Sequence, residues 1–201
     1  NHMNFFRALY IRTYQLIMRG AAYLVPWRKP KLIEGRGSLT QLPKLVKDKG
    51  ILSVLIITDN HLKGLGLLDP LFEGLQAQGV RYSVYSDVQP NPTVQNVEAA
   101  LETYQQNGCH GIIAFGGGSP IDCAKACGAR VVRPNKPVIK MRGLFKVLHR
   151  LPALFVVPTT AGTGSETTIT AVITDAEHHH KITINDIPLM PHYAILDPLL
   201  T

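Results

Sequence analysis

With 201 residues, 45% of them hydrophobic and 17% charged, the chain has apolar material for one sizeable core, which excludes a disordered or fibrous protein. Its net charge of +7 is gathered near the start, where residues 1–50 hold ten Lys or Arg against Glu34 and Asp48; no aromatic-and-basic stripe goes with it, so nucleic acid is excluded as a partner. The three cysteines, Cys109, Cys123 and Cys127, have no CxxC spacing, which excludes a disulfide framework or structural zinc and points to the cytoplasm; Cys123 and Cys127 read as small core residues.

Asn1 to Met3 reads as an expression remnant. Residues 5–27 mix apolar side chains with Arg7, Arg12 and Arg19, which interrupt any run long enough for a membrane span or a signal core. An amphipathic helix packed on its own domain or on a sister subunit is expected here, in preference to one lying on a membrane surface. Residues 1–30 therefore form an N-terminal extension, and residues 31–201 the domain proper.

Lys31 to Glu34 is extended, and Ser38 is the expected N-cap of a helix through Lys49. The β-branched run Val54 to Thr58 predicts a strand covered on both faces, with Asp59 at its carboxyl end. Helical spacing over Leu62 to Gln78 is broken by Gly64, Gly66 and Pro70, and a strand at Arg81 to Tyr85 follows. Thr93 caps a helix to Gln106, and the strand Gly111 to Phe115 runs into a glycine turn with a helix opening at Pro120. Residues 129–150 are basic and read as a solvated segment. A buried strand at Ala153 to Val157 is followed by a hairpin, Ile169 to Thr174 with Lys181 to Ile184, and a last strand at Tyr193 to Leu196. Strands alternating with helices predict an α/β fold: a Rossmann-like parallel sheet with helices on both faces, plus the β-hairpin.

Ligands of such sheets bind at the carboxyl ends of strands. In Gly116, Gly117, Gly118, Ser119, three missing Cβ atoms allow close backbone approach, and the N–H groups of a helix start favour pyrophosphate; taken alone, the turn fits tight packing equally well. The loop Thr159, Thr160, Ala161, Gly162, Thr163, Gly164, Ser165 adds hydroxyls suited to a phosphate, a ribose or a nicotinamide amide. Asp59 is placed to accept from an adenosine ribose and to repel a 2′-phosphate, which favours NAD over NADP. Asp122 reads as a charge in the first helical turn, and Lys125 as solvated or paired with it. His178, His179 and His180 read as a solvated turn, because three consecutive side chains cannot converge on one ion without strain. Neither catalytic nor metal-ligating residues are identified.

GGGSPID from Gly116 to Asp122, PTTAGTGSE from Pro158 to Glu166, QPNPT from Gln89 to Thr93 and ILDP from Ile195 to Pro198 resemble the iron-containing alcohol dehydrogenases, in order from about Leu32 to Thr201. The resemblance implies a dehydroquinate-synthase-like N-terminal dinucleotide-binding domain. A C-terminal helical domain holding iron or zinc, with its first ligand beyond Thr201, would be missing from this chain. It implies that Asp59 contacts the adenosine ribose, and that Asn91, Gly116, Gly117, Gly118, Ser119 and Asp122 cradle pyrophosphate and ribose. Thr159, Thr160, Thr163 and Thr168 fall on the nicotinamide side, and Lys181 at a further cofactor contact. The implied reaction moves hydride between a small alcohol or aldehyde and NAD, with the metal as Lewis acid. The alternatives are a glycerol dehydrogenase or dehydroquinate synthase relative, and a stand-alone NAD-binding or interaction module. A homodimer is expected if an apolar interdomain face seeks a partner.

Overall fold

The computed structural model describes Arg12, Thr13, residues 28–178 and residues 180–201. The helix expected over residues 5–27 lies outside this set except for Arg12 and Thr13, which are helical.

Six parallel strands form the main sheet in the order β1, β9, β6, β4, β2, β3. They are β1 (Lys31–Glu34), β2 (Ser53–Ile57), β3 (Arg81–Tyr85), β4 (Gly111–Gly116), β6 (Ala153–Pro158) and β9 (Tyr193–Leu196). The central strands are apolar throughout because both their faces are covered. Leu55, Ile57, Ile112, Ala114, Leu154 and Val156 pack under α4 (Val94–Gln106) and α5 (Gly118–Val132). Their alternates Val54, Ile56, Ile113, Phe115, Phe155 and Val157 pack under α1 (Leu42–Asp48) and α3 (Asp69–Ala77). A small second sheet joins β5 (Gly143–Leu144) to the antiparallel pair β7 (Thr170–Asp175) and β8 (His180–Asn185), in the order β5, β8, β7. Its Ala171, Ile173, Ile182 and Ile184 share the core of α4 and α5.

The chain passes from β2 to β3 on one side of β2, then to β4 on the other. The connecting helices α3 and α4 lie on opposite faces, so they part at the carboxyl ends of β2 and β4 and leave a crevice there. Thr93 closes α4 with a capping box: its hydroxyl accepts from Asn96 N at 3.2 Å while Asn96 Oδ1 accepts from Thr93 N at 3.0 Å.

As Gly64, Gly66 and Pro70 imply, the segment from Leu62 to Gln78 is broken into two helices, α2 (Asn60–Gly64) and α3. Other local expectations need correction. Ser38 opens a short 3₁₀ turn, Ser38–Gln41, and does not cap it; its hydroxyl is buried without a partner. The carboxylate of Asp197 caps that turn from the far end of the chain, accepting from Gly37 N at 3.0 Å and Leu39 N at 3.1 Å. Residues 129–150 are not simply solvated, since α5 runs to Val132 and Val138, Met141 and Val147 are fully buried. With no acid nearby in sequence, the basic side chains there find partners elsewhere. Arg130 pairs with Glu98, its Nε 2.7 Å from Oε1, and also donates to Arg133 O, Pro134 O and Lys136 O, while Arg133 Nε donates to Val147 O at 2.6 Å. Buried Asp186 ties the end of the segment down by accepting from Val147 N at 2.7 Å and Leu148 N at 2.9 Å.

His192 stands just before β9, at the amino end of the sheet, its Nδ1 accepting from Leu154 N at 3.1 Å. Burial, with the charges of Arg28 and Arg150, pushes its pKa down to about 4 from the ordinary 6.5. Between those values the unfolded chain binds a proton that the native one does not, so stability present above pH 6.5 is lost as the pH falls toward about 4. We expect a loss of about 1–2 kcal/mol after allowance for partial exposure, read by urea denaturation against pH, and a flatter acid limb in His192→Asn.

Candidate functional site

The crevice is a cleft of about 880 Å³ lined by Asp59, Asn60, His61, Leu62, the loop from Asp87 to Pro90, Gly117 to Pro120, and Thr159, Thr160 and Thr163. Three structural walls meet in it, and each is shaped by a local sequence feature. A second cleft, of about 650 Å³, lies at the opposite end of the sheet beside Ser53, Arg81 and Asn107, away from the glycine turn.

The floor is the glycine turn. Helix α5 begins at Gly118, two residues before the expected Pro120, with Gly117 as an N-cap that offers no side-chain acceptor. Helices α2 and α4 are capped by Asp59 and Thr93; at α5 the N-cap makes no side-chain cap hydrogen bond, and the helix dipole adds partial positive charge. Gly116 has φ +142°, and a Cβ there would stand 2.7 Å from Pro120 Cγ. A Cβ on Gly117 would meet Thr160 Oγ1 at 3.1 Å, and one on Gly118 would meet Ser165 Oγ at 3.4 Å. At Gly117 and Gly118 the missing side chains thus let the turn and the threonine loop approach each other closely.

Asp59 forms one side wall. Its Oδ1 caps α2 by accepting from Leu62 N at 2.9 Å. Its backbone pairs with that of Asp87, whose Oδ1 accepts from Asn60 Nδ2 at 2.7 Å. Two carboxylates, Asp59 and Asp87, therefore flank one end of the cleft. Asn60, His61 and Asp87 were not singled out from sequence; the signal available was their place just beyond the carboxyl ends of β2 and β3.

The opposite wall is the loop after β6, joined to the turn where Thr159 N donates to Gly116 O at 3.2 Å. Asn91, Gly116, Asp122, Thr168 and Lys181 are not among the residues that line the cleft. Asn91, at φ +59°, donates its N–H to Ser119 Oγ at 3.3 Å, and Lys181 Nζ donates to Asn91 Oδ1 at 3.3 Å. These contacts strap the hairpin to the turn. Asp122 lies beyond the first turn of α5, and its Oδ2 accepts from Val172 N at 3.0 Å, tying the helix to β7. Its carboxyl pKa is raised by burial, against the pull of that N–H and of Lys125.

Lys125 departs furthest from expectation. It is not solvated, and among the described residues it is not ion-paired; it is fully buried, and its Nζ donates to the carbonyls of Ser165, Thr168 and Thr170. Cys109, Cys123 and Cys127 are buried free thiols, and burial drives all three pKa values up, so they act as core residues. In the hairpin turn, His178 is exposed and its Nδ1 lies 2.8 Å from Asp175 Oδ2; His179 is outside the described residues. Among the described residues no three His, Cys, Asp or Glu side chains are placed to hold a metal ion, and no helix is long and apolar enough to cross a membrane.

A parallel α/β sheet with a glycine-lined crevice at its topological switch point defines a Rossmann-like domain. Residues 29–198 match the iron-containing alcohol dehydrogenase model, and the chain belongs to that family. It is 35% identical over 168 residues to the choline dehydrogenase of Bacillus subtilis (strain 168), covering 83% of this chain and 42% of that protein. The solved 1,3-propanediol oxidoreductase superposes with a TM-score of 0.83 at 30% identity, over 87% of this chain and 46% of the other. The sulfoacetaldehyde reductase of Bifidobacterium kashiwanohense, solved in complex with NAD+, gives a TM-score of 0.77 at 28% identity, over 87% and 46%. The chain spans about half the length of the relatives it matches.

Proposed function

We propose that residues 31–201 are the dinucleotide-binding domain of an NAD-dependent alcohol dehydrogenase, and that the cleft above Gly116 to Ser119 holds the cofactor. The observation that carries this reading is the uncapped start of α5, which lines one cleft together with Thr160 and Thr163. The fit is chemical as well as spatial. Amides of a helix start suit pyrophosphate, paired carboxylates suit ribose hydroxyls, and hydroxyls on a loop suit the carboxamide.

When bound, NAD supplies the hydride acceptor. The residues of this chain do the rest of the cofactor's handling. Gly117 to Ser119 take the anionic centre, and Asn91 with Lys181 hold Ser119 from behind. Asp59 accepts from the ribose, while Thr159, Thr160 and Thr163 orient the nicotinamide side. Asp122 and Thr168 act from outside the lining, through Val172 and Lys125. The alcohol-activating metal, iron or zinc, belongs to a C-terminal helical domain outside this chain. The substrate is a small alcohol or aldehyde, and the protein resides in the cytoplasm, where the three free thiols stay reduced. Exposed Ile139, Leu144, Phe145 and Leu148 offer apolar area for a homodimer, which sedimentation velocity would detect.

Calorimetry on the 201-residue chain tests the reading: NAD binds, NADP binds more weakly, and no alcohol is oxidised. Asp59→Asn keeps the cap on α2 and removes the charge. It should narrow the preference for NAD over NADP by roughly tenfold or more, the worth of one charged hydrogen bond and one repulsion. An unchanged preference would refute the ribose assignment.

A further inference from the structure

Lys125 is a buried cation without a salt-bridge partner among the described residues. Its Nζ stands 2.6 Å from Ser165 O, 2.7 Å from Thr168 O, 3.0 Å from Thr168 Oγ1 and 3.0 Å from Thr170 O. An ammonium group has three N–H donors and no acceptor, so four oxygens converge on it as they would on a bound monovalent cation. Those oxygens belong to the segment that follows Thr163 and Gly164 and leads into β7. Without a positive charge among them, three carbonyl dipoles would point at one another beside a site that is to receive an anion. Asp122, one turn earlier on α5, holds Val172 N, so the helix that begins at the cleft also grips β7, the strand into which the threonine loop leads.

We propose that Lys125 is a positioning residue, whose ammonium fixes the carbonyls of Ser165, Thr168 and Thr170 and thereby sets the wall formed by Thr160 and Thr163 for the cofactor. It rests on the NAD reading for its purpose, though the clamp itself is a property of the free chain. The charged groups facing Nζ are Asp122 on its own helix and Glu166 in the 3₁₀ turn Ser165–Thr167; both raise its pKa, but burial outweighs them and brings it down to about 8. Above that pH the neutral amine turns a lone pair toward a shell of acceptors, and the clamp loosens. Closing the loop over NAD then requires a proton, so affinity falls as the pH rises through about 8.

The test is hydrogen exchange of the segment 159–170 in the free chain, alongside NAD titration. In Lys125→Met the segment should exchange about tenfold faster or more, with β2 and β4 unchanged, and NAD affinity should drop by a similar factor, as expected for buried carbonyls left unpaired. The affinity loss of the unaltered chain above pH 8 should be missing in Lys125→Met. Methylammonium chloride should restore protection to Lys125→Ala. Equal protection in Lys125→Met and the unaltered chain, or equal alkaline loss of affinity in both, would overturn the proposal. If Lys125→Met does not fold, exchange in the unaltered chain decides: protection of 159–170 must weaken through about pH 8 beyond the intrinsic rate change. Failure of the unaltered chain to bind NAD sinks the cofactor reading, whereas the exchange comparison judges the clamp by itself.

Discussion

Gly116→Ala should both destabilise the fold and remove NAD binding. The backbone at φ +142° lies where a side chain is strained, and the new methyl would be placed 2.7 Å from Pro120 Cγ and 3.1 Å from Leu62 Cδ1. Pro120 is a rigid ring in the first turn of α5, so it cannot turn aside as a long side chain would. Strain and overpacking together cost about 3 kcal/mol. Relief requires the turn to shift, which carries the α5 amides out of register with the threonine loop. Gly118→Ala separates the two effects. Its methyl meets Ser165 Oγ at 3.4 Å, an ordinary contact, and the position is helical, so stability should stay within ~0.5 kcal/mol while NAD affinity falls. Urea denaturation and calorimetry on the two variants distinguish a folding glycine from a binding glycine. Equal stability of Gly116→Ala and the unaltered chain would contradict the geometry.

Asp197→Ala should cost roughly 3 kcal/mol of stability without touching the cleft, because one carboxylate serves three backbone donors. Gly37 N and Leu39 N reach it from the turn after β1, at 3.0 and 3.1 Å, and Leu199 N reaches it at 3.1 Å from its own side. Burial alone would raise its pKa, but these N–H groups and Arg36 hold it below the ordinary 3.8. The stability it contributes is therefore present above about pH 4 and is lost in stronger acid, below the window in which His192 acts. Asp197→Asn, which keeps one carbonyl oxygen, should lose less. Denaturant midpoints at neutral pH and at about pH 3 check both the size and the sign.

The ILDP motif that helped reveal the family thus includes a residue of structure, far from the chemistry. This marks where the sequence could be read and where it could not. Elements whose logic is local were legible to the residue: β3 from its alternation, α4 from Thr93 and its apolar stripe, β9 from its apolar run. The glycine turn and threonine loop were legible as loops at the carboxyl ends of strands, but that they line one cleft followed only from the fold. What sequence concealed depends on partners distant along the chain. Nothing beside Lys125 shows that it will meet carbonyls some 40 residues on, and nothing beside Ser38 shows that Asp197 will take over its cap. The basic run from Arg130 misled for a related reason. A charge is usually solvated, yet here the guanidinium groups bind backbone carbonyls and let Val138, Met141 and Val147 sink into the core. Asp122 kept its place near the cleft and changed its meaning, from a charge on a helix to a tie to β7.

The pairing of β1 with β9, Lys31 opposite Tyr193 through Glu34 opposite Leu196, bears on how the chain reaches this state. Among the described residues, the first strand of the sheet pairs only with the last. Until β9 has been made, the edge of β1 that it pairs with stays bare. Such a distant closure is entropically slow. The seam, locked by Asp197, is thus a part of the sheet that a stalled nascent chain would leave exposed to chaperones and proteases.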